Sequence, residues 1–132
     1  MDAMANRAQD WLAQAGYDLQ HARNSLDDGD YEWACFAAHQ AAEKSVKALI
    51  MHMGGEGWGH SITRLLVDLK SLGDVPEEAQ MASRRLDKHY IPARYPNGFD
   101  RGTPREYYTS DDARQAICDA ETVYNFCRNS IC

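Results

Sequence analysis

The sequence predicts an all-α protein, an up-and-down antiparallel helical bundle of four to five helices with a long ordered loop before the last helix. Apolar residues recur at every third or fourth position along most of the chain, and no segment shows the two-residue alternation of a strand. The 132 residues, 44% of them apolar and 26% charged, have the size and composition of one globular domain. No repeat or linker divides the chain, so we expect a single domain over residues 1–132.

The first two predicted helices are joined by a glycine. Apolar residues between Trp11 and Leu26 keep a three-to-four spacing, and Gly29 is a typical helix stop. Asp30 is positioned to cap the second helix, whose apolar side from Tyr31 to Leu49 consists largely of alanine. Because alanine lets neighbouring helices approach closely, we expect this helix at the centre of the bundle.

The later helices have recognisable ends. Ser61 is a predicted cap for a short third helix, and Pro76 suits the first turn of a fourth helix that must stop before Pro92. Thr109 and Asp112 have the spacing of a capping box and begin the last helix. Residues 91–108, between the fourth and the last predicted helix, contain prolines and glycines. We expect this segment to be an ordered loop, because its tyrosines and phenylalanine can be buried.

Charge is distributed unevenly. The net charge is −6, but residues 84–105 hold six basic residues against two acidic ones, so this segment is +4 and the remainder is −10. The basic residues are Arg84, Arg85, Lys88, Arg94, Arg101 and Arg105. This pattern predicts a local anion site, in which these side chains converge on one pocket, rather than a general polyanion surface.

Several classes of protein are disfavoured by the sequence. No apolar run approaches the roughly 20 residues of a membrane span and no basic leader begins the chain, which predicts a cytoplasmic protein without a membrane partner. The four cysteines lack C-x-x-C spacing and are expected to be buried free thiols. His39, His52 and His60 have no completing ligands at metal spacing, so we expect neither metal nor cofactor.

Two blocks of the sequence resemble a known family. Residues 31–49, YEWACFAAHQAAEKSVKAL, followed by Gly59-His60-Ser61, look like the central helix and next turn of HEPN domains (higher eukaryotes and prokaryotes nucleotide-binding). Residues 86–97, LDKHYIPARYPN, are similar to the family segment that ends in an Arg-Tyr-Pro motif. The order and spacing of the two blocks match the family over nearly the whole chain.

The resemblance implies a helical bundle that often forms a homodimer and that in prokaryotes accompanies a small nucleotidyltransferase, as in a toxin–antitoxin-like module. It also implies one of two activities. Some members are metal-independent ribonucleases that use an Arg and a His across a dimer interface. Others, including many with the Arg-Tyr-Pro motif, are described as nucleotide-binding.

Arg94-Tyr95-Pro96 is the main candidate for binding a nucleotide or an RNA phosphate. A guanidinium forms paired hydrogen bonds with phosphate, and a tyrosine ring can stack on a base. The predicted contributors are Arg94, Tyr95, Lys88, Lys44, Lys47 and Arg101. Alternatively, Arg94 caps a helix or pairs with an acid, Tyr95 is part of the core, and the two lysines pair with nearby side chains such as Glu43.

Arg84 and His89 are the candidate catalytic residues if the protein is instead a metal-independent ribonuclease. His89 would act as the base, and Arg84 would stabilise the charged phosphorane. Four residues separate them, but a spacing of five places them about 140° apart on a helix. Arg85 and Tyr90 also depart from the usual nuclease motif, so a solvated basic helix end is the preferred interpretation. A third possibility is a non-catalytic domain that binds another protein.

Overall fold

The computed structural model describes residues 3–132, with side chains from Arg7 onward, and is all-helical over that range. The helices are α1 (Ala3–Asp27), α2 (Tyr31–His52), α3 (Ile62–Lys70), α4 (Glu77–Asp87), α5 (Pro104–Tyr107) and α6 (Ser110–Ile131). This confirms the predicted fold class. Met1 and Asp2, to which the leader prediction also refers, lie outside the described residues.

Helix α2 is central, as its alanines predicted. It contacts each of the other five helices, with α1 and α6 as its most extensive neighbours. The alanines on its contact faces are fully or almost fully buried: Ala34, Ala37, Ala38, Ala41, Ala42 and Ala48. Their small side chains allow close packing on several sides of α2, so polar residues of this helix are also drawn into the interior.

The predicted helix ends are partly correct. Ser61 caps α3 by accepting a hydrogen bond from the Arg64 amide, and Thr109 forms a capping box with Asp112 at the start of α6. Asp30 stands at the N-cap position of α2, but its carboxylate makes no cap hydrogen bond. That carboxylate instead accepts a hydrogen bond from Arg105, 2.8 Å away, which is a long-range partner that a local pattern does not reveal.

The segment predicted as a loop contains two short helical turns. A 3-10 turn spans Pro96–Gly98, and α5 is a single turn that begins with a capping box at Thr103. Phe99 and Tyr107 stack with ring centres 4.2 Å apart, so aromatic contacts order the segment, in agreement with the expectation. The helix content was missed because a single turn is too short to show periodicity.

The cysteines are all free thiols, but only two are buried. Cys35 and Cys127 lie in the core, whereas Cys118 and Cys132 are exposed. Burial raises the pKa of the Cys35 thiol to about 12, with smaller contributions from nearby acids, so this group stays protonated. Across residues 3–132, no helix is both long and apolar enough to cross a membrane.

Candidate nucleotide-binding site

Asp87, the last residue of α4, connects three helices. Its carboxylate accepts hydrogen bonds from the amides of Ile62 and Thr63, both at 2.9 Å, and from the Ser61 hydroxyl at 3.1 Å. These amides are among the groups that the first turn of α3 leaves without helical partners, so the carboxylate stabilises that helix end. Burial alone would raise the pKa of Asp87, but the hydrogen bonds outweigh it and lower the pKa to about 2.

His39 is completely buried beneath this junction. Its Nε2 atom lies 3.1 Å from Asp87 and its Nδ1 atom 3.2 Å from the side-chain oxygen of Gln40. Both ring nitrogens are therefore engaged within the protein. No cluster of three or more metal-ligating groups occurs among the residues from 3 to 132, and His39 acts as a structural group that positions the end of α4.

Tyr90 follows α4 and is the centre of an aromatic cluster, which we define as Phe36, His39, His60, Tyr90 and Tyr95. The His60 ring stacks on the Tyr90 ring at 5.0 Å between centres, and the His39 ring lies 5.1 Å from it. Phe36 of α2 contacts Tyr90 at 6.2 Å. The cluster thus joins the turn after α4, the start of α3 and the middle of α2.

Arg94 rests on the rings of this cluster. Its guanidinium carbon lies 4.4 Å from the centre of Phe36, 4.5 Å from Tyr90 and 4.9 Å from Tyr95, which are favourable cation–π distances. Its Nε atom donates to the Tyr90 carbonyl at 2.8 Å. The two terminal nitrogens have no hydrogen-bond partner within the described part of the chain, so they are available to an external acceptor.

His60 packs on the same tyrosine ring as Arg94, and its outer nitrogen makes no hydrogen bond among residues 7–132. The side chain is 56% exposed, and its Nδ1 atom lies 3.1 Å from the buried carboxylate of Glu43. The distances from the Tyr90 ring, 4.5 Å to the guanidinium carbon and 5.0 Å to the His60 ring, place these two groups within 9.5 Å of each other. Both could contact one extended anionic ligand.

The two predicted lysines are engaged by acidic side chains. Lys44 forms an ion pair with Asp18 of α1, and Lys47 binds the second oxygen of Glu43 at 3.2 Å. For Lys47 the alternative expected from the sequence, a pair with Glu43, is the one observed. Neither lysine provides an unpaired charge for phosphate, although Lys47 and His60 share the same carboxylate.

Two of the six cations of the 84–105 segment are paired with distant acids, so the segment does not converge as a whole on one pocket, contrary to the expectation. Arg85 makes a bidentate contact with Asp119 of α6, at 2.9 and 2.8 Å. Arg105 binds Asp30 and lies 3.5 Å from Glu32 at the start of α2. Both are structural ion pairs, because tertiary packing brings distant acids to them.

The remaining predicted contributors, Lys88, Arg101 and Tyr95, are exposed side chains. Lys88 and Arg101 are exposed and make no side-chain hydrogen bond among residues 7–132. Tyr95 is 48% exposed and is therefore not a core residue. Arg94 and Tyr95 contact each other, so the candidate site is built on Arg94 and the aromatic cluster, while Lys88 and Arg101 stay predicted contributors.

Arg84 and His89 occupy different environments. Arg84 is exposed in the last turn of α4, whereas His89 is partly buried, with its Nδ1 atom 2.9 Å from the Tyr108 hydroxyl. Burial lowers the pKa of His89 below its ordinary value, and nearby acids oppose this effect only in part. One nitrogen of the His89 ring is therefore engaged by Tyr108, and the neutral form of the ring is favoured.

The sequence did not identify the supporting residues. His60 was noted as part of a family turn, but neither Glu43, Tyr90 nor Asp87 was assigned to the site. The available signal was that Glu43 stands directly after the buried alanines of α2, since a carboxylate that packing buries must have partners.

Comparison with known proteins agrees with this structure. Residues 8–130 match the family model of the HEPN domain. The chain belongs to the HEPN family.

Solved structures of related proteins superpose closely on it. TT1696 from Thermus thermophilus is 47% identical with a TM-score of 0.92, covering 95% of this chain and 98% of that one. ST0689, described as an archaeal HEPN homologue, is 40% identical with a TM-score of 0.81 and the same coverage. A HEPN domain protein from Thermotoga maritima is 36% identical, with a TM-score of 0.75 and coverage of 91% and 95%.

A more distant relative has a name that refers to activity. "Putative toxin MJ1304" from Methanocaldococcus jannaschii is 26% identical over 122 residues, which is 86% of this chain and 80% of that protein. The HEPN family and fold of this chain are therefore shown, and the relative carries a toxin designation.

Proposed function

We propose that this HEPN protein binds a nucleotide or RNA strand through phosphate, with Arg94 as the principal contact. The supporting observation is the position of the guanidinium on three aromatic rings, with only Nε used internally. A guanidinium held in this way retains a fork of terminal donors that suits two phosphate oxygens. The rings limit its rotation, so little conformational entropy is lost on binding.

The neighbouring groups extend this contact. His60 is exposed and held by Glu43 through Nδ1, which leaves Nε2 to hydrogen-bond a ligand. Half-exposed Tyr95 lies directly against the guanidinium and offers a ring on which a base can stack. Phosphate on Arg94 and a base on Tyr95 make one nucleotide the smallest ligand that satisfies both.

We also propose that the protein is one component of a HEPN and small nucleotidyltransferase module of the toxin–antitoxin type and that it forms a homodimer. The family and the relative designated as a toxin support this. Co-expression with a nucleotidyltransferase encoded beside it should yield a complex that survives purification. A protein that elutes alone at every concentration would contradict the module.

Calorimetry tests the binding function. We expect ATP, GTP or a short single-stranded RNA to bind the wild type at moderate salt, and Arg94→Ala to weaken binding by about tenfold or more, since charge-assisted hydrogen bonds contribute roughly 1.5–3 kcal/mol. Arg114→Ala is the matched control, because Arg114 is an exposed arginine on α6, where it pairs with Asp111.

Arg94→Lys distinguishes the contact with phosphate from the internal hydrogen bond to the Tyr90 carbonyl. Lysine keeps the positive charge but loses the fork, so it should bind more weakly than the wild type and more tightly than alanine. Thermal unfolding of each variant reports any loss of the Tyr90 contact. If no ligand binds the wild type, the protein-interaction alternative replaces this proposal.

A further inference from the structure

A cleft lies near the candidate site. Its volume is about 510 Å³, which is within the range of small-ligand pockets. Trp11 of α1, Met51 of α2 and the loop residue Trp58 supply its large apolar surfaces, and Arg7, Lys47 and Glu56 its charged groups. Two tryptophans from separate elements line one opening.

The loop that carries Trp58 is braced against the helices. A Cβ atom on Gly57 would meet Lys47 Cγ and Leu65 Cδ2 at 3.2 Å, so the loop backbone packs directly on these side chains. Gly59 has a φ of +84°, which turns the chain immediately after Trp58. The indole is held 78% exposed by a well-packed loop, although packing it into the core would bury more apolar surface.

The cleft is continuous with the candidate site through side-chain contacts. Lys47 on the cleft wall has its Nζ atom 5.8 Å from the Trp11 ring centre and 3.2 Å from Glu43. The other oxygen of Glu43 binds His60, which stacks on the Tyr90 ring that Arg94 also contacts. Gly59, which lines the cleft, directly precedes His60. A continuous set of contacts therefore connects the tryptophans of the cleft to the aromatic cluster that holds Arg94.

The charges of the cleft favour an uncharged ring over a phosphate. Lys47 is already paired with Glu43, and the exposed Arg7 and Glu56 have opposite signs. Phosphate would gain little net attraction there, whereas the flat, uncharged face of a base can stack on indole rings.

We propose that this cleft binds a base of a single-stranded RNA whose backbone phosphate lies on Arg94. The inference rests on the proposed function and specifies its ligand. Phe36, which contacts Arg94, and Lys47 on the cleft wall are eleven positions apart along α2, a distance of about 16 Å at 1.5 Å per residue. A strand of several nucleotides spans both sites, and a nucleoside monophosphate reaches only one.

The test compares an oligoadenylate of about eight nucleotides, within the usual range of single-strand sites, with AMP. Trp58→Ala should weaken oligoadenylate binding roughly tenfold, the loss expected for one stacked base, and leave AMP binding unchanged. Arg94→Ala should weaken both. Tyr17→Ala is the matched control, since Tyr17 is a comparably exposed aromatic residue on α1, at 71%.

Fluorescence gives a second readout. In Trp33→Phe, the two remaining tryptophans both line the cleft, so the oligoadenylate should quench their emission and AMP should not. Unchanged affinity in Trp58→Ala together with unquenched emission would overturn the inference. The proposed function would survive that outcome if Arg94→Ala still lost binding, and it would fail if neither ligand bound the wild type.

Discussion

Asp87 is the residue whose single carboxylate joins the end of α4 to α2 and α3. Its pKa of about 2 in the folded protein, against 3.8 ordinarily, means that the ionised form is favoured by folding. Because the pKa is lowered, this stabilisation is fully present above about pH 4 and is lost as the pH falls through 2.

Asp87→Asn should therefore destabilise the protein by about 2 kcal/mol at pH 7, as the fall in the pKa of Asp87 from 3.8 to about 2 implies. Asparagine can also no longer accept from both backbone amides. Denaturant unfolding of both proteins at several pH values should show the difference shrinking between pH 4 and pH 2. Asp68→Asn, on the exposed face of α3, is the control and should change little; a constant difference at all pH values would contradict this assignment.

Arg84 and His89 have a nuclease-like spacing in the sequence, but the structure places them in different environments. With His89 partly buried against Tyr108 and Arg84 exposed on α4, we expect no RNA cleavage in EDTA that depends on both residues. His89→Ala should lower stability by about 1 kcal/mol through the lost hydrogen bond, and Arg84→Ala should not. Cleavage by the wild type that disappears in both variants would restore the ribonuclease assignment.

Among the helices, those with strong local signals were the most predictable. Ser61 and the Thr109–Asp112 box cap α3 and α6 as expected, because capping depends on residues within one turn. Asp30 was assigned to the wrong partner and the single turn α5 was missed. Helical periodicity shows neither the distant partner of Asp30 nor a helix of one turn.

Thr109→Ala tests the capping box of α6. The Thr109 hydroxyl accepts a hydrogen bond from the Asp112 amide, and its loss should lower the free energy of unfolding by about 1 kcal/mol. Thr122→Ala in the same helix is the control, because its hydroxyl only donates to the Cys118 carbonyl within an intact helical turn. Equal effects of the two substitutions in denaturant titrations would argue against the capping contribution.

At the scale of the whole molecule, the sequence correctly predicted the bundle and its alanine-rich central helix, but it also predicted that the basic segment converges on one pocket, which the structure does not show. Charge counting gives the net charge of a segment but not the acids that tertiary packing brings to it. Asp119 and Asp30 neutralise Arg85 and Arg105 from opposite parts of the chain. The site therefore contains one well-placed guanidinium and an aromatic cluster rather than a basic pocket.

The proposed homodimer is a separate property of the whole molecule. Sedimentation equilibrium should give a mass of twice the 14.9 kDa chain at micromolar concentration. A mass of one chain throughout the accessible concentration range would contradict dimerisation without affecting the binding proposal.

The salt dependence of RNA binding tests the central role of Arg94 most directly. Binding of a short single-stranded RNA to the wild type should weaken linearly on logarithmic axes as salt rises, because phosphate contact releases counterions. Arg94→Ala should bind more weakly with a slope smaller by about 0.7, the value for one lost contact to a single strand. Identical affinities and slopes for the two proteins would contradict the account.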